Sequence, residues 1–365
     1  MKLWQIAALI VCGLAFGAIR PGFVGNFFHF ATFYVFLPAI IFEAAWQLDL
    51  KTMRAGWKPI VLLAVPGVII TAAIIAASVH LGAGLPLTTS LILGAVLSAT
   101  DPVAVTSIFR KLPVPEMLST IVESESLLND AIAVVLFGIV LAIGTVPVPT
   151  ADTVVGESLK GLFGSLVGLL AGSVCGYVGS FALRRGVPLL IQGLITFATA
   201  YAAYFITQGV GGSGIFATIA CALTMRELER SYVSVDMAKA VEHAWTIAAN
   251  GANAVLFFLV GAAVQLSALA GLRAVLIATV AGVLVSRFIL AYGLLQLAPR
   301  MKSAWMTVVR LAGVRGAVSL ALALSLSTAI PQQRAIVAAT FAVVIVTLLI
   351  GSLTFMGRIR RLDLG

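Results

Sequence analysis

The segment Glu123-Ser124-Glu125-Ser126-Leu127-Leu128-Asn129-Asp130 carries the side chains best suited to holding an ion. On a helix, Ser126 shares a face with Asn129 and Asp130 through spacings of three and four residues. That face offers a hydroxyl, an amide oxygen and a carboxylate. These are hard oxygen ligands, which suit a small hard cation better than a soft metal. Glu125 is turned about 100° from Ser126 and points toward a different partner. The next residues, Ala131-Ile132-Ala133-Val134-Val135-Leu136-Phe137, are apolar. The cluster therefore lies inside a buried run rather than at the polar start of a surface helix.

Other ionisable residues also fall inside apolar stretches: Glu43, Asp101, Arg287 and Arg315. In a bilayer each costs about 2.5–3.5 kcal/mol on the insertion scale, so each is a functional candidate by default. Ser98-Ala99-Thr100-Asp101-Pro102 interrupts a helix, because proline disfavours helical geometry at Asp101 and removes a backbone donor. Backbone groups freed in mid-membrane are tolerated only inside protein or beside water. There the Asp101 carboxylate can face the positive end of a half-helix. Gly313-Val314-Arg315-Gly316 is a matching interruption further on, with an arginine that cannot lose its charge. Two interrupted spans in corresponding halves point to a transporter site near the midplane. Arg287, at mid-run, requires a carboxylate partner, and Glu125 and Asp130 are nearest in kind. Glu43 lies near the end of its run and is read equally well as a site residue or an interfacial one. His29, His80 and His243 read as helix-edge residues.

These residues need elements to carry them, and the composition says where those elements sit. Of 365 residues, 61% are hydrophobic and 10% are charged. A soluble domain has about 25% charged residues, so this chain cannot coat a water-facing surface. About twelve apolar runs are long enough to cross the hydrocarbon core: roughly 3–19, 27–48, 59–79, 87–109, 117–144, 159–183, 188–206, 212–226, 241–267, 271–297, 303–327 and 333–357. The net charge of +9 does not form one stripe, as nucleic-acid binding would require. Lys2, Lys51, Arg54, Lys58, Arg110, Lys111, Arg184, Arg185, Arg226, Arg230, Lys239, Arg300, Lys302, Arg358, Arg360 and Arg361 fall on the side of the N-terminus. Only Arg20, Lys160, Arg273 and Arg334 fall on the other. That bias puts both termini of a multi-pass protein in the cytoplasm, and a prokaryotic inner membrane is the expected setting. Cys12, Cys175 and Cys221 are far apart, without metal spacing, and are expected to pack in the core. The first run lacks a cleavage site and reads as a true span.

Leu37-Pro38-Ala39-Ile40-Ile41-Phe42-Glu43, Ala99-Thr100-Asp101-Pro102-Val103-Ala104-Val105, Glu125-Ser126-Leu127-Leu128-Asn129-Asp130-Ala131 and Gly313-Val314-Arg315-Gly316-Ala317-Val318 together resemble the signature segments of the NhaP/NHE-type sodium/proton exchangers. This is the electroneutral branch of the monovalent cation:proton antiporters, and the likeness covers nearly the whole chain. It implies an all-α polytopic membrane fold with inverted repeats and two broken crossing helices. One exchanger domain would cover residues 1–365: a first repeat over about 3–144, a linker helix over about 159–183 and a second repeat over about 188–357. By the resemblance, Asp130 alternately holds Na⁺ and a proton. Thr100, Asp101 and Ser126 help form the site, Asn129 holds its shape, and Glu43 contributes directly or through water. Arg287 matches the buried arginine that pairs with Glu125, and Arg315 is the charge of the second broken helix. In electrogenic relatives an aspartate stands at Asn129, so the asparagine implies electroneutral, one-for-one exchange. A homodimer and no cofactor are implied. The family's first span has no counterpart here, and Ser124 stands where the family often has glycine.

A carboxylate in a dry site binds either a proton or a cation, and a bare one is expensive to move across the bilayer. That asymmetry makes exchange obligatory, by alternating access, and suits a role in pH homeostasis. Lithium or potassium in place of sodium fits the same oxygen ligands. A cation channel is disfavoured because no selectivity-filter sequence such as TVGYG occurs. An intramembrane serine protease would have to use Gly211-Gly212-Ser213-Gly214 with His243 as base; the plainer reading is that these glycines allow close helix packing.

Overall fold

The computed structural model describes residues 3–20, 30–101, 105–106, 109, 114–144, 146, 149–183, 188–229, 235–264, 271–298, 301–327, 330 and 332–359, with the backbone alone at 3, 235–237 and 350–359. His29, Pro102, Val103, Ala104 and the basic residues Lys2, Arg110, Lys111, Arg184, Arg185, Arg230, Arg300, Arg360 and Arg361 lie outside them. Among the described residues the chain is all-helical. In order come α1 (Leu3–Ile19), α2 (Thr32–Gln47, opening with a π-turn), α3 (Leu50–Ala55), α4 (Trp57–Ala83), α5 (Leu87–Val96), α6 (Glu116–Gly144) and α7 (Ala151–Leu183). Then follow α8 (Leu189–Gly209), α9 (Gly214–Glu229), α10 (Val235–Ala263), α11 (Arg273–Tyr292), α12 (Ser303–Leu311), α13 (Ala317–Leu324) and α14 (Gln333–Ile359). Among the described residues, six stretches are long and apolar enough to cross a membrane: α4, α6, α7, α8, Ala238–Ala263 of α10, and Arg273–Leu297, which runs on from α11 through a 3₁₀ turn. The 27 residues of α4 rise about 40 Å, more than the hydrocarbon thickness.

Among the described residues the apolar runs are largely helical apart from the interruptions at 97–101 and 312–316, with two instructive shifts. α7 starts at Ala151 and α10 at Val235, before their apolar runs begin, because the first turns carry polar residues that water or headgroups solvate. His243 is consequently inside α10 and exposed rather than at a helix edge, whereas His80 does sit in the last turn of α4. The cysteines correct an expectation: Cys12 is exposed and Cys175 half-buried, and Cys221 alone of the three packs in a core. A lipid-facing surface is as apolar as a packed one, so hydropathy does not separate them.

The chain divides into two compact units. The first contains residues 1–29, 51–144 and 254–365. In it α4 packs against α5, α6 and α11, while α13 touches α5, α6 and α14. Close approach is bought by small residues: a β-carbon on Gly94 would run into the Ala72 backbone, and one on Gly13 or Gly17 of α1 would run into Phe258 or Ala262 of α10. The second unit contains residues 30–50 and 145–253. Gly164, Gly168, Gly172 and Gly176 recur every fourth residue along α7, so they share one face. That face lies on the backbone of α9 and of the turn before it, and the Ser213 N–H donates to the Gly164 carbonyl at 2.8 Å. Gly212 and Gly214 are crowded by Thr207, Val167 and Tyr204, which is the packing role read for this glycine cluster.

Candidate functional site

In the first unit, α6 presents four buried polar side chains in succession. Glu125, Ser126, Asn129 and Asp130 are 1%, 1%, 3% and 8% exposed, which excludes an interfacial helix start. Asn129 follows Glu125 by one turn, and its Nδ2 donates to Glu125 Oε1 at 2.9 Å. The same Nδ2 reaches Thr100 Oγ1 at 3.2 Å, and Thr100 donates to Ser126 Oγ at 3.2 Å. Arg287 on α11 closes the chain of bonds, its Nη1 donating to Glu125 Oε1 at 2.8 Å. Of the two carboxylates left open for Arg287 by the sequence, the structure pairs it with Glu125.

The two interruptions meet. α5 ends at Val96 and the chain passes through a turn at Leu97 and Ser98 and stays non-helical to Asp101, with helical residues again at Val105, Thr106 and Phe109. α12 ends at Leu311, and a non-helical stretch leads to α13 at Ala317. The Asp101 N–H donates to the Val314 carbonyl at 2.8 Å, so one broken segment supplies the hydrogen bond the other has lost. Arg315, fully buried, donates from Nη1 to the Ser98 and Ala99 carbonyls, each at 3.0 Å. Its own N–H bonds Thr347 Oγ1 on α14 at 3.1 Å, and Ser319 Oγ donates to the Ala99 carbonyl at 3.4 Å. The half-buried Asp101 carboxylate lies against Gly316, the residue before α13, and so sits at the positive end of that half-helix. A β-carbon at Gly316 would collide with it, and one at Gly313 would collide with the Arg287 side chain.

Asp130 stands beside this crossing. The Thr100 backbone N–H donates to its carboxylate, and the charges of Asp101, Arg315 and Glu125 act on it. Among the described residues, Asp130 Oδ1 and Asn129 Oδ1 are buried with no hydrogen-bond partner. Two such oxygens, with the Ser126 and Thr100 hydroxyls nearby, form the hard-ligand set that a monovalent cation can use. The structure thus brings together Asp130, Asp101, Thr100, Ser126, Asn129, Glu125, Arg287 and Arg315. Glu43 belongs to the second unit, on α2, where Oε1 accepts from Gln47 Nε2 and from Thr246 Oγ1. Sequence reasoning missed Ser319 and Thr347, and it read Gly313 and Gly316 as marking the interruption without the side chains they make room for. Ser319 had a signal, since it is a polar residue four positions after Arg315 in an otherwise apolar half-helix.

Residues 1–356 match the family described as "Sodium/hydrogen exchanger, transmembrane". The Na⁺/H⁺ antiporter ApNhaP of Aphanothece halophytica is 33% identical over 368 residues, covering 98% of this chain and 69% of its own length. The low-affinity Na⁺/H⁺ antiporter NhaS1 of Synechocystis is 32% identical, covering 90% of this chain and 64% of its own length. The chain thus spans about two thirds of these relatives. Among solved structures, the sodium proton antiporter MjNhaP1 from Methanocaldococcus jannaschii at pH 8 superposes with a TM-score of 0.82 over 99% of this chain and 92% of that one, at 19% identity. At that identity the likeness speaks for the fold, which is the polytopic NhaP-like one with two broken crossing helices. With its family match running nearly end to end, the chain belongs to the transmembrane sodium/hydrogen exchangers.

Proposed function

We propose that this protein is a secondary transporter exchanging Na⁺ for H⁺, one for one, with Asp130 as the group that holds each in turn. The observation that carries this reading is a buried carboxylate, one oxygen of which has no partner among the described residues, beside the crossing of two broken helices. Burial favours the neutral carboxyl and a bound cation favours the carboxylate, so the two passengers compete for one side chain. Neutralised by either, the site can change sides; bare, it carries a charge that costs about 2.5–3.5 kcal/mol in hydrocarbon on the insertion scale. Asn129 has no proton to exchange, and Glu125 is occupied by Arg287, which supports a single exchanging charge. Both termini are assigned to the cytoplasm from the Lys/Arg bias, the setting is assigned as a prokaryotic plasma membrane, and the protein is assigned as a homodimer without a cofactor.

The test is proton flux in everted vesicles challenged in turn with Na⁺, Li⁺ and K⁺, with and without a clamped potential. Wild-type flux should respond to Na⁺, be independent of the potential, and be lost in Asp130→Asn. Cation-driven flux in that variant would overturn the assignment. A response to K⁺ alone would replace the substrate while keeping the mechanism. Because proton and Na⁺ compete, the apparent KM for Na⁺ should also rise as pH falls.

A further inference from the structure

Thr246 on α10 makes an unusual choice of partner. Other threonines in these helices bond a carbonyl of their own helix: Thr199 to Ile195, Thr218 to Gly214 and Thr279 to Val275, at 2.7, 2.9 and 2.6 Å. A helical threonine can satisfy its hydroxyl this way without leaving its own helix. Thr246 instead crosses to α2 and donates to Glu43 Oε1 at 3.2 Å, the oxygen that also accepts from Gln47 one turn along.

The register of the two helices is set one residue earlier on each. Phe42 stacks on Trp245 with ring centroids 4.1 Å apart, and Phe197 covers the other face of the indole at 3.8 Å. The indole N–H is fixed by Thr196 Oγ1 at 3.0 Å. This buried aromatic rung leaves Thr246 and Glu43 as the next rung, on the half-exposed side. Glu242, Thr246 and Asn250 repeat every fourth residue on α10, as Glu43 and Gln47 do on α2, and all five are half-buried. A polar stripe of this kind inside a membrane protein faces water or protein, not lipid.

We propose that Thr246 is a positioning residue for Glu43: its hydroxyl, with the Gln47 amide, fixes the orientation of a carboxylate that attracts the cation. The inference rests on the reading of Glu43 as a contributor to cation binding. Losing the orientation that one hydrogen bond of ordinary net strength supplies should then weaken apparent Na⁺ affinity by about three- to tenfold.

The experiment is a Na⁺ titration of proton flux in everted vesicles carrying the full chain. Thr246→Val should raise the apparent KM for Na⁺ by about that factor with the maximal rate kept within roughly twofold. Thr246→Ser should restore the KM. In a Glu43→Gln background, Thr246→Val should add nothing. Should valine lower the amount of folded protein, Thr246→Ala serves the same comparison. An unchanged KM, a loss confined to the maximal rate, no rescue by serine, or an equal effect with Glu43 absent would each overturn the proposal. A silent Glu43→Gln would overturn it too, and would remove Glu43 from the site. The Asp130→Asn flux separates that result from a failure of the exchange reading.

Discussion

Replacing Arg287 by methionine keeps most of the side-chain volume but leaves the Glu125 carboxylate, 1% exposed, with the Asn129 amide as its remaining donor on Oε1. Removing one partner of a buried ion pair costs about 3–5 kcal/mol, because an uncompensated charge stays behind. The bond from Asn129 survives, so the lower end, about 3 kcal/mol, applies here. With about 2.1 cal/mol/K of unfolding entropy per residue, a chain of 365 residues shifts by about 1.3 °C per kcal/mol, so the midpoint of thermal unfolding in detergent should fall by roughly 4 °C. The double variant Glu125→Gln/Arg287→Met removes both charges and should recover at least half of that loss, since neutral replacement of a buried pair is often well tolerated. A single variant that melts within about 2 °C of wild type would refute the reasoning, as would a double variant no better than the single. Either result would mean that the pair is solvated or that the fold is indifferent to it.

Two further substitutions test the packing of the site. Gly316→Ala puts a β-carbon into the Asp101 carboxylate; Na⁺-driven flux should fall at least about tenfold while Gly156→Ala, where the added carbon meets nothing within 4 Å, stays near wild type. Ser124 is fully buried and its hydroxyl has no hydrogen-bond partner among the described residues; Ser124→Ala should leave flux intact and raise stability by up to about 1 kcal/mol, read as an unchanged or higher unfolding midpoint.

The α6 face was legible because a helical period is enough to align Ser126, Asn129 and Asp130. The breaks were legible too, one from Pro102 and the other from an arginine flanked by glycines. What those glycines do was not legible. Gly313 and Gly316 are required by Arg287 and Asp101, side chains some 26 and more than 200 residues away in sequence. No local pattern reports a contact of that range. The same limit applies to Arg315, whose acceptors are the backbone carbonyls of Ser98 and Ala99, groups that carry no residue-type signal at all. Glu43 is a different case. Its segment matches a family motif, yet the side chain is organised within the second unit by Gln47 and Thr246, and Thr246 lies in a run that hydropathy reads as plain apolar helix.

On the proposed assignment, the crossing also gives a reason why Asp130, rather than Asp101, would be the carboxylate that exchanges its partner. A half-helix carries about half a positive charge at its N-terminus and half a negative charge at its C-terminus. Asp101 sits at the N-terminus of α13, and Arg315 sits on the carbonyls that follow the C-terminus of α5. Each charge therefore compensates the end of the opposite broken helix. Protonating Asp101 would strip the α13 terminus of its counter-charge and strain the segment whose N–H is bonded to Val314. Asp130 lies on α6, which is continuous through the membrane and has no helix end at that point to compensate. Its charge can be cancelled by H⁺ or by Na⁺ without altering the balance at the crossing, and that independence is what an exchanging site requires.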